Sequence, residues 1–313
     1  MRGIRGKIDS IQGAVDYHKS HLAVIVKTKG KPAKLDGYKW ENKLNKQATK
    51  GGISIAVKEE LMKSTKVLPN DESEIDTMWI EIATNNSKLH IGAFYGKQEN
   101  APKEECELEF AQLTTQIKRL QTKGEVILTG DFNAKLEIKK GIISQEESTR
   151  GTLLKQLLKE TDMIPVSIEN ANGDYTRVNR NKLSEKSIID YILMTRRIAE
   201  KATDTNIDEV GIMRIKGKKE SDHNTMTTSV RTKWENTVEN KKVWNIKNKE
   251  GWKKFNPEIK KLIAKNPNNN NYDETERIIH TAMHHSIGKI TRVEGQTRKK
   301  DTKVIKNIRK QKK

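Results

Sequence analysis

The stretch ILTGDFNAK, residues 127–135, begins as the most apolar strand of the chain and ends in a polar turn. Its apolar run predicts a buried strand of a sheet protein. The turn carries Asp131 and Asn133 on either side of Phe132. A lone GDFNA sequence is more typical of a turn that closes a strand than of a functional site. Whether this turn is a functional site therefore depends on polar residues elsewhere in the chain.

Other short apolar runs, rich in β-branched residues, predict further strands at residues 22–26, 52–57, 78–83, 89–95, 125–130 and 187–194. Apolar residues at helical spacing predict helices over 8–18, 105–122 and 149–161, the second with Leu108, Leu113, Ile117 and Leu120 on its apolar face. Because strands and helices intermix, the predicted fold class is a layered α/β (α+β) domain over residues 1–231.

The charge of the chain is concentrated at its C-terminal end. The whole chain has a formal net charge of +19, and residues 232–313 hold 22 Lys and Arg against 9 Asp and Glu. Clustered lysines suit a polyphosphate, because each neutralised phosphate releases a condensed counterion. Nucleic acid is therefore the first candidate partner, DNA and also RNA through the basic C-terminal region. A solvated basic surface without a partner is the plain alternative.

The C-terminal region divides into two predicted parts. Residues 232–297 form a basic, partly helical connector, with aromatic residues among lysines in KKVWNIKNKEGWKKF (241–255) and a helix predicted over 273–291. Residues 298–313 form a basic tail that buries too little surface to fold alone and is expected to be disordered.

The composition excludes several classes of protein. Cys106 is the single cysteine, which excludes an internal disulfide framework and a Cys-rich zinc site, and it is expected to be inert. No run approaches the roughly 18 apolar residues of a membrane span, and the start MRGIRGKIDS lacks the apolar core of a signal peptide. The chain is expected to be intracellular, without a membrane partner, and nuclear if it acts on DNA.

Two later motifs carry polar residues that suit chemistry. Asp190 lies within the apolar run SIIDYIL, where a carboxylate needs a partner because burying its charge unaided is costly. His223 follows Asp222 in the sequence SDHN and is the natural partner for Asp190. An imidazole held by a buried carboxylate is fixed in one tautomer and stabilised as a cation, which suits phosphate contact or proton transfer.

In this order the motifs resemble the endonuclease/exonuclease/phosphatase superfamily, which includes deoxyribonuclease I and the abasic-site endonucleases. Most similar are the endonuclease domains of non-LTR (LINE-type) retrotransposons. The resemblance covers roughly residues 2–231 and rests on GGISIAV, HIGAFYGKQEN, GDFNAK, YTRVNRNKLSEKSIIDYIL and ESDHN. It implies a four-layered α/β sandwich of the deoxyribonuclease I type. The connector is similar to the segment between endonuclease and reverse transcriptase in such elements, and the chain stops before any polymerase motif.

The resemblance also implies roles for individual residues in phosphodiester hydrolysis. The aspartate matching Asp131 positions and activates the attacking water, and the asparagine matching Asn133 contacts the scissile phosphate. Asp190 would orient His223, which faces that phosphate, and Tyr95 matches a tyrosine that contacts it.

The resemblance further implies a metal, Mg²⁺ or Mn²⁺, which suits carboxylate and amide oxygens. Asp222 would help to form the metal-binding end, together with Asp131, Asn133 and His223. Thr176 and Ser221 match the family's supporting hydroxyls.

Two departures put activity in doubt. Lys27 stands where the family has a metal-binding glutamate, although Thr28 follows as usual. Two opposite unit charges about 4 Å apart attract by about 4 kcal/mol at an effective dielectric near 20, so reversing one charge should weaken metal binding severely. The family's first strand, which bears an asparagine, is also expected to be missing, which would leave an unpaired strand edge.

Three functions therefore compete. The first is a Mg²⁺-dependent endonuclease that nicks DNA and leaves a 3′-hydroxyl, impaired here by Lys27 and the missing strand. The second is a catalytically dead remnant that still binds nucleic acid. A superfamily phosphatase for lipid or inositol phosphates is the third, and it is disfavoured because the basic C-terminal region points to a long polyanion.

Overall fold

The computed structural model describes residues 7–28, 34–43, 52–69, 75–85, 87–140, 143–169, 171–179, 181–208, 221–232, 240–245, 248–265 and 272–293. Contacts divide the chain into two compact units, Met1–Asn236 and Thr237–Lys313. The predicted tail at 298–313 lies outside the described residues. No helix among the described residues has the length and apolar character that crossing a bilayer requires.

The first unit contains five α-helices and fifteen strands within the described residues. The helices are α1 (Ile8–Tyr17), α2 (Lys103–Gln121), α3 (Thr149–Thr161), α4 (Val166–Glu169) and α5 (Arg196–Ala199), with a 3₁₀ helix at Glu59–Ser64. The strands are β1 (Leu22–Val26), β2 (Tyr38–Lys43), β3 (Ile53–Lys58), β4 (Thr65–Val67), β5 (Thr77–Ala83), β6 (Lys88–Tyr95), β7 (Glu125–Asp131), β8 (Ile138–Lys140), β9 (Ile143–Gln145), β10 (Met163–Pro165), β11 (Arg177–Val178), β12 (Lys186–Ser187), β13 (Asp190–Thr195), β14 (Ala202–Ile207) and β15 (Met226–Val230).

A six-stranded mixed sheet lies at the centre of this unit, in the order β10-β13-β7-β6-β5-β4. β6 and β7 are parallel, and the long helix α2 connects them, since parallel neighbours need a crossover. The other neighbours in this sheet are antiparallel. The apolar stretch that ends in Asp131 thus forms an inner strand of the sheet.

Burial on both faces explains why the strands of this sheet are continuous apolar runs. In β7, Val126 and Leu128 pack in the cluster that contains residues of α2 and α3, whereas Ile127 packs in the cluster on the opposite face. Because neighbouring side chains of a strand point to opposite faces, each face needs its own apolar set.

A second sheet, in the order β1-β3-β2, completes the layers. Ile55 of β3 packs towards the six-stranded sheet, while its neighbour Ala56 packs in the cluster that contains α1. The order of layers is therefore α1, small sheet, six-stranded sheet, and α2 with α3. The predicted fold class, a four-layered α/β sandwich, is confirmed.

Two sequence predictions within this unit need correction. Leu108 was expected on the apolar face of α2, but it is 56% exposed, and Phe110 occupies the core instead. The strand predicted over 187–194 is divided into β12 and β13, so that Asp190 begins β13 rather than lying inside a strand. Helical and strand periods alone do not fix which residue of a mixed run faces the core.

The second unit contains β16 (Asn240–Trp244), α6 (Lys249–Ala264), α7 (Tyr272–Ser286) and β17 (Lys289–Val293), with β16 and β17 antiparallel. The helix predicted over 273–291 is therefore too long at its C-terminal end. Gly288 adopts φ +67°, and its N–H donates to the carbonyl of Met283 at 3.0 Å. A left-handed glycine of this kind ends a helix and lets the chain enter a strand.

Two strand edges in the first unit face a common cavity. Among the described strands, β1 pairs only with β3, and β15 pairs only with β14. Both line a cavity of about 770 Å³, whose wall also includes apolar residues of the six-stranded sheet and of α1. Within the described residues, β1 and β15 therefore each present one edge that no other strand pairs with. Asp190 and His223 lie in the wall of the same cavity.

Candidate active site

The polar ends of three strands meet at one edge of the six-stranded sheet. The register pairs Asp131, the last residue of β7, with Asp190 of β13 on one side and with Tyr95 of β6 on the other. Asp131 is fully buried and Asp190 is 8% exposed. The sheet therefore brings together two carboxylates and a tyrosine that are far apart in sequence.

The turn after Asp131 is held in one geometry by close backbone contacts. Gly130 has φ +149°, and a Cβ placed there would lie 1.9 Å from the carbonyl oxygen of Phe94. Asn133 has φ 48°, its N–H donates to Oδ1 of Asp131 at 3.1 Å, and its Nδ2 donates to the carbonyl of Gly96 at 2.8 Å. Such strained positions persist where the surrounding structure fixes them, often at functional sites.

Asp190 and His223 form the pair that the sequence predicts. Nδ1 of His223 lies 3.0 and 2.9 Å from the two carboxylate oxygens of Asp190. Thr176, fully buried, accepts from the backbone N–H of Asp190 at 3.2 Å, and Ser221 accepts from the N–H of His223 at 3.1 Å. The two hydroxyls thus hold the backbone on both sides of the pair.

His223 is poised to carry a positive charge. Burial alone would lower the pKa of its imidazole, but the carboxylate of Asp190, its hydrogen bond and the carboxylate of Asp131 together raise that pKa above 6.5. Nε2 of His223 lies 3.8 Å from Oδ2 of Asp131. With Nδ1 turned to Asp190, Nε2 is the nitrogen that faces Asp131, and it can donate to an anion in the cleft.

Lys27 reaches into this site from the end of β1. Its backbone is left-handed, with φ 59°, and its Nζ donates to Oδ2 of Asp131 at 2.9 Å. Nζ also lies 4.9 Å from the ring centroid of Tyr95. Burial, the largest single effect, lowers the pKa of Lys27, but the charge and hydrogen bond of Asp131 together with Tyr95 and Asp190 outweigh it, so the pKa is raised. Lys27 is therefore a stable cation beside the buried carboxylate.

Tyr95 contributes a hydroxyl next to this ion pair. Its oxygen accepts from Nε2 of Gln98 at 2.9 Å. Burial raises the pKa of the Tyr95 phenol above 10.0, against the opposing effect of Lys27, so the hydroxyl stays protonated and can donate.

Asp131, Asp190 and His223 offer ligand atoms that all lie within 4.8 Å of one another, a candidate metal group. Asp222 was expected in this group but lies outside it, with Oδ2 3.9 Å from Nε of Arg177. Mg²⁺ demands near-octahedral oxygen ligands at about 2.0–2.1 Å. Oδ2 of Asp131 already faces the Lys27 ammonium, so these donors fit a divalent cation poorly.

A buried ion pair beneath the turn was not predicted from the sequence. Arg150, 1% exposed, donates through Nε and Nη2 to the carbonyl of Phe132 at 3.2 and 2.9 Å. Its Nη2 also lies 2.7 Å from Oε2 of Glu109. One signal was present: Glu109 is four residues before Leu113, on the apolar face of α2.

Comparisons with known proteins agree with this architecture. Residues 89–227 match the family model described as endonuclease-reverse transcriptase. No curated protein matches the chain in sequence.

Three solved structures illustrate the likeness in fold. The AP endonuclease LMAP from Leishmania major is 15% identical, with 73% of this chain and 85% of that chain covered and a TM-score of 0.59. The endonuclease domain of TRAS1, a telomere-specific non-LTR retrotransposon, is 18% identical, with 72% and 93% covered and a TM-score of 0.54. A variant of the 3′ phosphatase NExo from Neisseria, bound to product DNA hairpin, is 17% identical, with 74% and 96% covered and a TM-score of 0.55.

Proposed function

We propose that this domain belongs to the endonuclease/exonuclease/phosphatase superfamily and is a DNA endonuclease domain of the non-LTR retrotransposon type whose hydrolysis is impaired by Lys27. The match of residues 89–227 to the endonuclease-reverse transcriptase family model and the likeness in fold support the proposal. The observation that carries the proposal is the convergence of Asp131, Asp190 and His223 within 4.8 Å at one sheet edge. Hydrolysis of a phosphodiester needs an acceptor for the proton of water and donors for the phosphate oxygens, and this edge holds both.

Each side chain has a role in that chemistry. Asp131 would accept the proton of the attacking water, and Asp190 would keep His223 in the tautomer and charge that suit a phosphate oxygen. Tyr95 and Asn133 would contact the same phosphate. The hydrogen bond between Lys27 and Asp131 opposes the first of these roles, because it occupies an oxygen that the water would need.

The cofactor implied by the superfamily resemblance is Mg²⁺ or Mn²⁺, which would neutralise charge that develops on the phosphate. Asp131, Asn133 and His223 are the ligands proposed to hold the ion; Asp222, also implied by the resemblance, lies outside the group formed by Asp131, Asp190 and His223. Lys27 is expected to weaken binding of the ion, because its ammonium lies 2.9 Å from Oδ2 of Asp131 and occupies an oxygen that the ion would need.

DNA is the proposed substrate, and RNA is a further proposed partner of the basic region 232–297. The proposed segments are the nuclease-like domain at 1–231, the connector at 232–297 and the tail at 298–313. A protein with this activity would work in the nucleus.

A supercoiled-plasmid nicking assay tests the proposal, with Mg²⁺, with Mn²⁺ and with EDTA. The chain as it stands should bind the plasmid and nick it weakly or not at all, whereas Lys27→Glu should gain metal-dependent nicking. Adding His223→Ala to Lys27→Glu should abolish that gain. A folded Lys27→Glu variant that gains no nicking would overturn the assigned impairment, and vigorous nicking by the unaltered chain would do the same.

The second candidate, a nucleic-acid-binding remnant without catalysis, is favoured by the ion pair between Lys27 and Asp131. It predicts DNA affinity that falls steeply with salt concentration, because binding then rests on phosphate contacts. It also predicts that Lys27→Glu restores no nicking, which separates it from the first candidate.

A further inference from the structure

We propose that Lys27 is the resident cation of this cleft, so that the cleft binds a phosphate group of DNA without a divalent metal. The inference rests on the proposed function in one respect, since it takes a nucleic-acid phosphate as the ligand. It goes further because it assigns Lys27 a binding role rather than a merely damaging one.

The position of the ammonium is the first argument. Nζ of Lys27 lies 2.9 Å from Oδ2 of Asp131, a carboxylate whose side chain is 1% exposed. A buried carboxylate of this kind needs a cation or several donors beside it. In this cleft the chain itself supplies the cation, covalently tethered at the end of β1, and it needs no ion from solution.

The remaining capacity of the ammonium is the second argument. A lysine ammonium has three N–H donors, and its hydrogen bond to Asp131 accounts for one. The Lys27 side chain is 22% exposed, so a ligand in the cleft can reach it. Lysine is a common point-charge ligand for phosphate.

The neighbouring donors are the third argument. Nε2 of His223 lies 3.8 Å from the same carboxylate oxygen that Lys27 contacts, so both nitrogens border one small region. The hydroxyl of Tyr95 belongs to the residue whose ring lies 4.9 Å from the ammonium. An anion here would accept hydrogen bonds from three side chains, those of Lys27, His223 and Tyr95. A divalent cation would instead be repelled by the Lys27 ammonium.

The backbone of Lys27 supports a specific role for this residue. It has φ 59°, a left-handed conformation that costs a non-glycine residue free energy. Lys27 directly follows β1, and from this position its side chain contacts Asp131, 104 residues later in the chain. The fold thus holds Lys27 in a strained backbone state beside the buried carboxylate.

Binding of a thymidine dinucleotide, TpT, tests the inference on the full chain by phosphorus NMR titration, first in EDTA and then with Mg²⁺. The unaltered chain should bind TpT in EDTA, and adding Mg²⁺ should not tighten binding. Lys27→Gln should weaken binding by about tenfold or more, the loss expected for one charge-assisted hydrogen bond. Lys27→Arg, which keeps the charge, should retain most of the affinity.

Lys118→Gln is the matched control, because Lys118 is an exposed lysine paired with Glu160 on the surface of α2. It should leave TpT binding unchanged. Lys27→Glu should reverse the metal dependence, with TpT binding only when Mg²⁺ is present.

Three results would overturn the inference: no TpT binding in EDTA, unchanged binding in Lys27→Gln, or tighter binding by the unaltered chain when Mg²⁺ is added. Its failure can be told apart from failure of the proposed function by plasmid binding measured on the same samples. If the unaltered chain binds plasmid but ignores TpT in EDTA, and Lys27→Glu nicks plasmid with Mg²⁺, the function is kept and the inference is lost. A chain that binds no DNA under either condition loses both.

Discussion

In the first unit, two carboxylates are buried against a lysine or an arginine, one in the core and one in the cleft. In the core, Arg150 lies 2.7 Å from Glu109, and the two side chains are 1% and 2% exposed. In the cleft, Lys27 lies 2.9 Å from Asp131, with exposures of 22% and 1%. The distances are similar, but the surroundings differ.

The core pair is closed by further hydrogen bonds. Arg150 donates to the carbonyl of Phe132 and lies 3.1 Å from the sulfur of Cys106, while Glu109 accepts from the backbone N–H of Lys97. Cys106 is thus a buried free thiol beside a guanidinium. A network that satisfies its members internally fixes the fold and leaves nothing for a ligand.

The cleft pair, in contrast, keeps hydrogen-bond donors that a ligand could use. The same two atoms, Nζ of Lys27 and Oδ2 of Asp131, border Nε2 of His223 and open towards solvent on the lysine side. A buried carboxylate and its cation are therefore structural when protein groups accept from every N–H donor of the cation. They form a candidate binding site when some of those donors are left for a ligand.

The largest effect is expected from breaking the core pair. Arg150→Met should lower the free energy of unfolding by about 3–5 kcal/mol, because it leaves the Glu109 carboxylate buried without a cation. Urea denaturation of this variant checks the value, and adding Glu109→Gln should restore part of the loss. Lys118→Met, at an exposed ion pair, should change the free energy of unfolding far less than Arg150→Met does. Equal costs for the core and exposed pairs would contradict the assignment.

A smaller effect is expected from breaking the cleft pair. Lys27→Met should lower the free energy of unfolding by about 1–3 kcal/mol, because water and the His223 imidazole can partly compensate Asp131. The same denaturation series measures it. A loss as large as that of Arg150→Met would mean that the cleft pair is as closed as the core pair.

The smallest effect, one of pH, sharpens the comparison with two histidines. Burial lowers the pKa of His90 in the core, against the opposing hydrogen bond with Glu81, so its contribution to stability should be lost as pH falls below 6.5. The pKa of His223 in the cleft is raised, so its contribution is complete below 6.5 and lost as pH rises through the folded-state pKa. Urea denaturation across pH should show the acid loss disappear in His90→Gln and the alkaline loss disappear in His223→Gln. If His90→Gln removed the loss at alkaline pH and His223→Gln removed the loss at acid pH, the two pKa directions would be wrong.

Much of the fold follows from local patterns. Helix α3 has the predicted bounds, and the strands β1, β3, β5, β6 and β7 lie within about two residues of the predicted runs, because apolar runs buried on both faces are distinct in sequence. The pairing of Asp190 with His223 was also predicted, since an aspartate in an apolar run demands a partner.

Other features depend on tertiary contacts that no local pattern contains. Helical spacing alone does not reveal that Leu108 is exposed while Glu109 is buried, because the Arg150 that compensates Glu109 lies 41 residues away. The contact between Lys27 and Asp131 spans 104 residues and two sheets. From the sequence, Lys27 was expected to oppose a metal, and its ion pair with Asp131 emerged from the structure.

The most direct test of the central claim, that Lys27 holds the place beside Asp131 against a divalent cation, is an anomalous-scattering crystal structure determined in Mn²⁺. The account predicts no Mn²⁺ peak beside Asp131 and His223 in the unaltered chain, with the Lys27 ammonium in contact with Asp131. Lys27→Glu under the same conditions should acquire the peak. A Mn²⁺ ion bound to Asp131 in the unaltered chain, with Lys27 displaced, would contradict it.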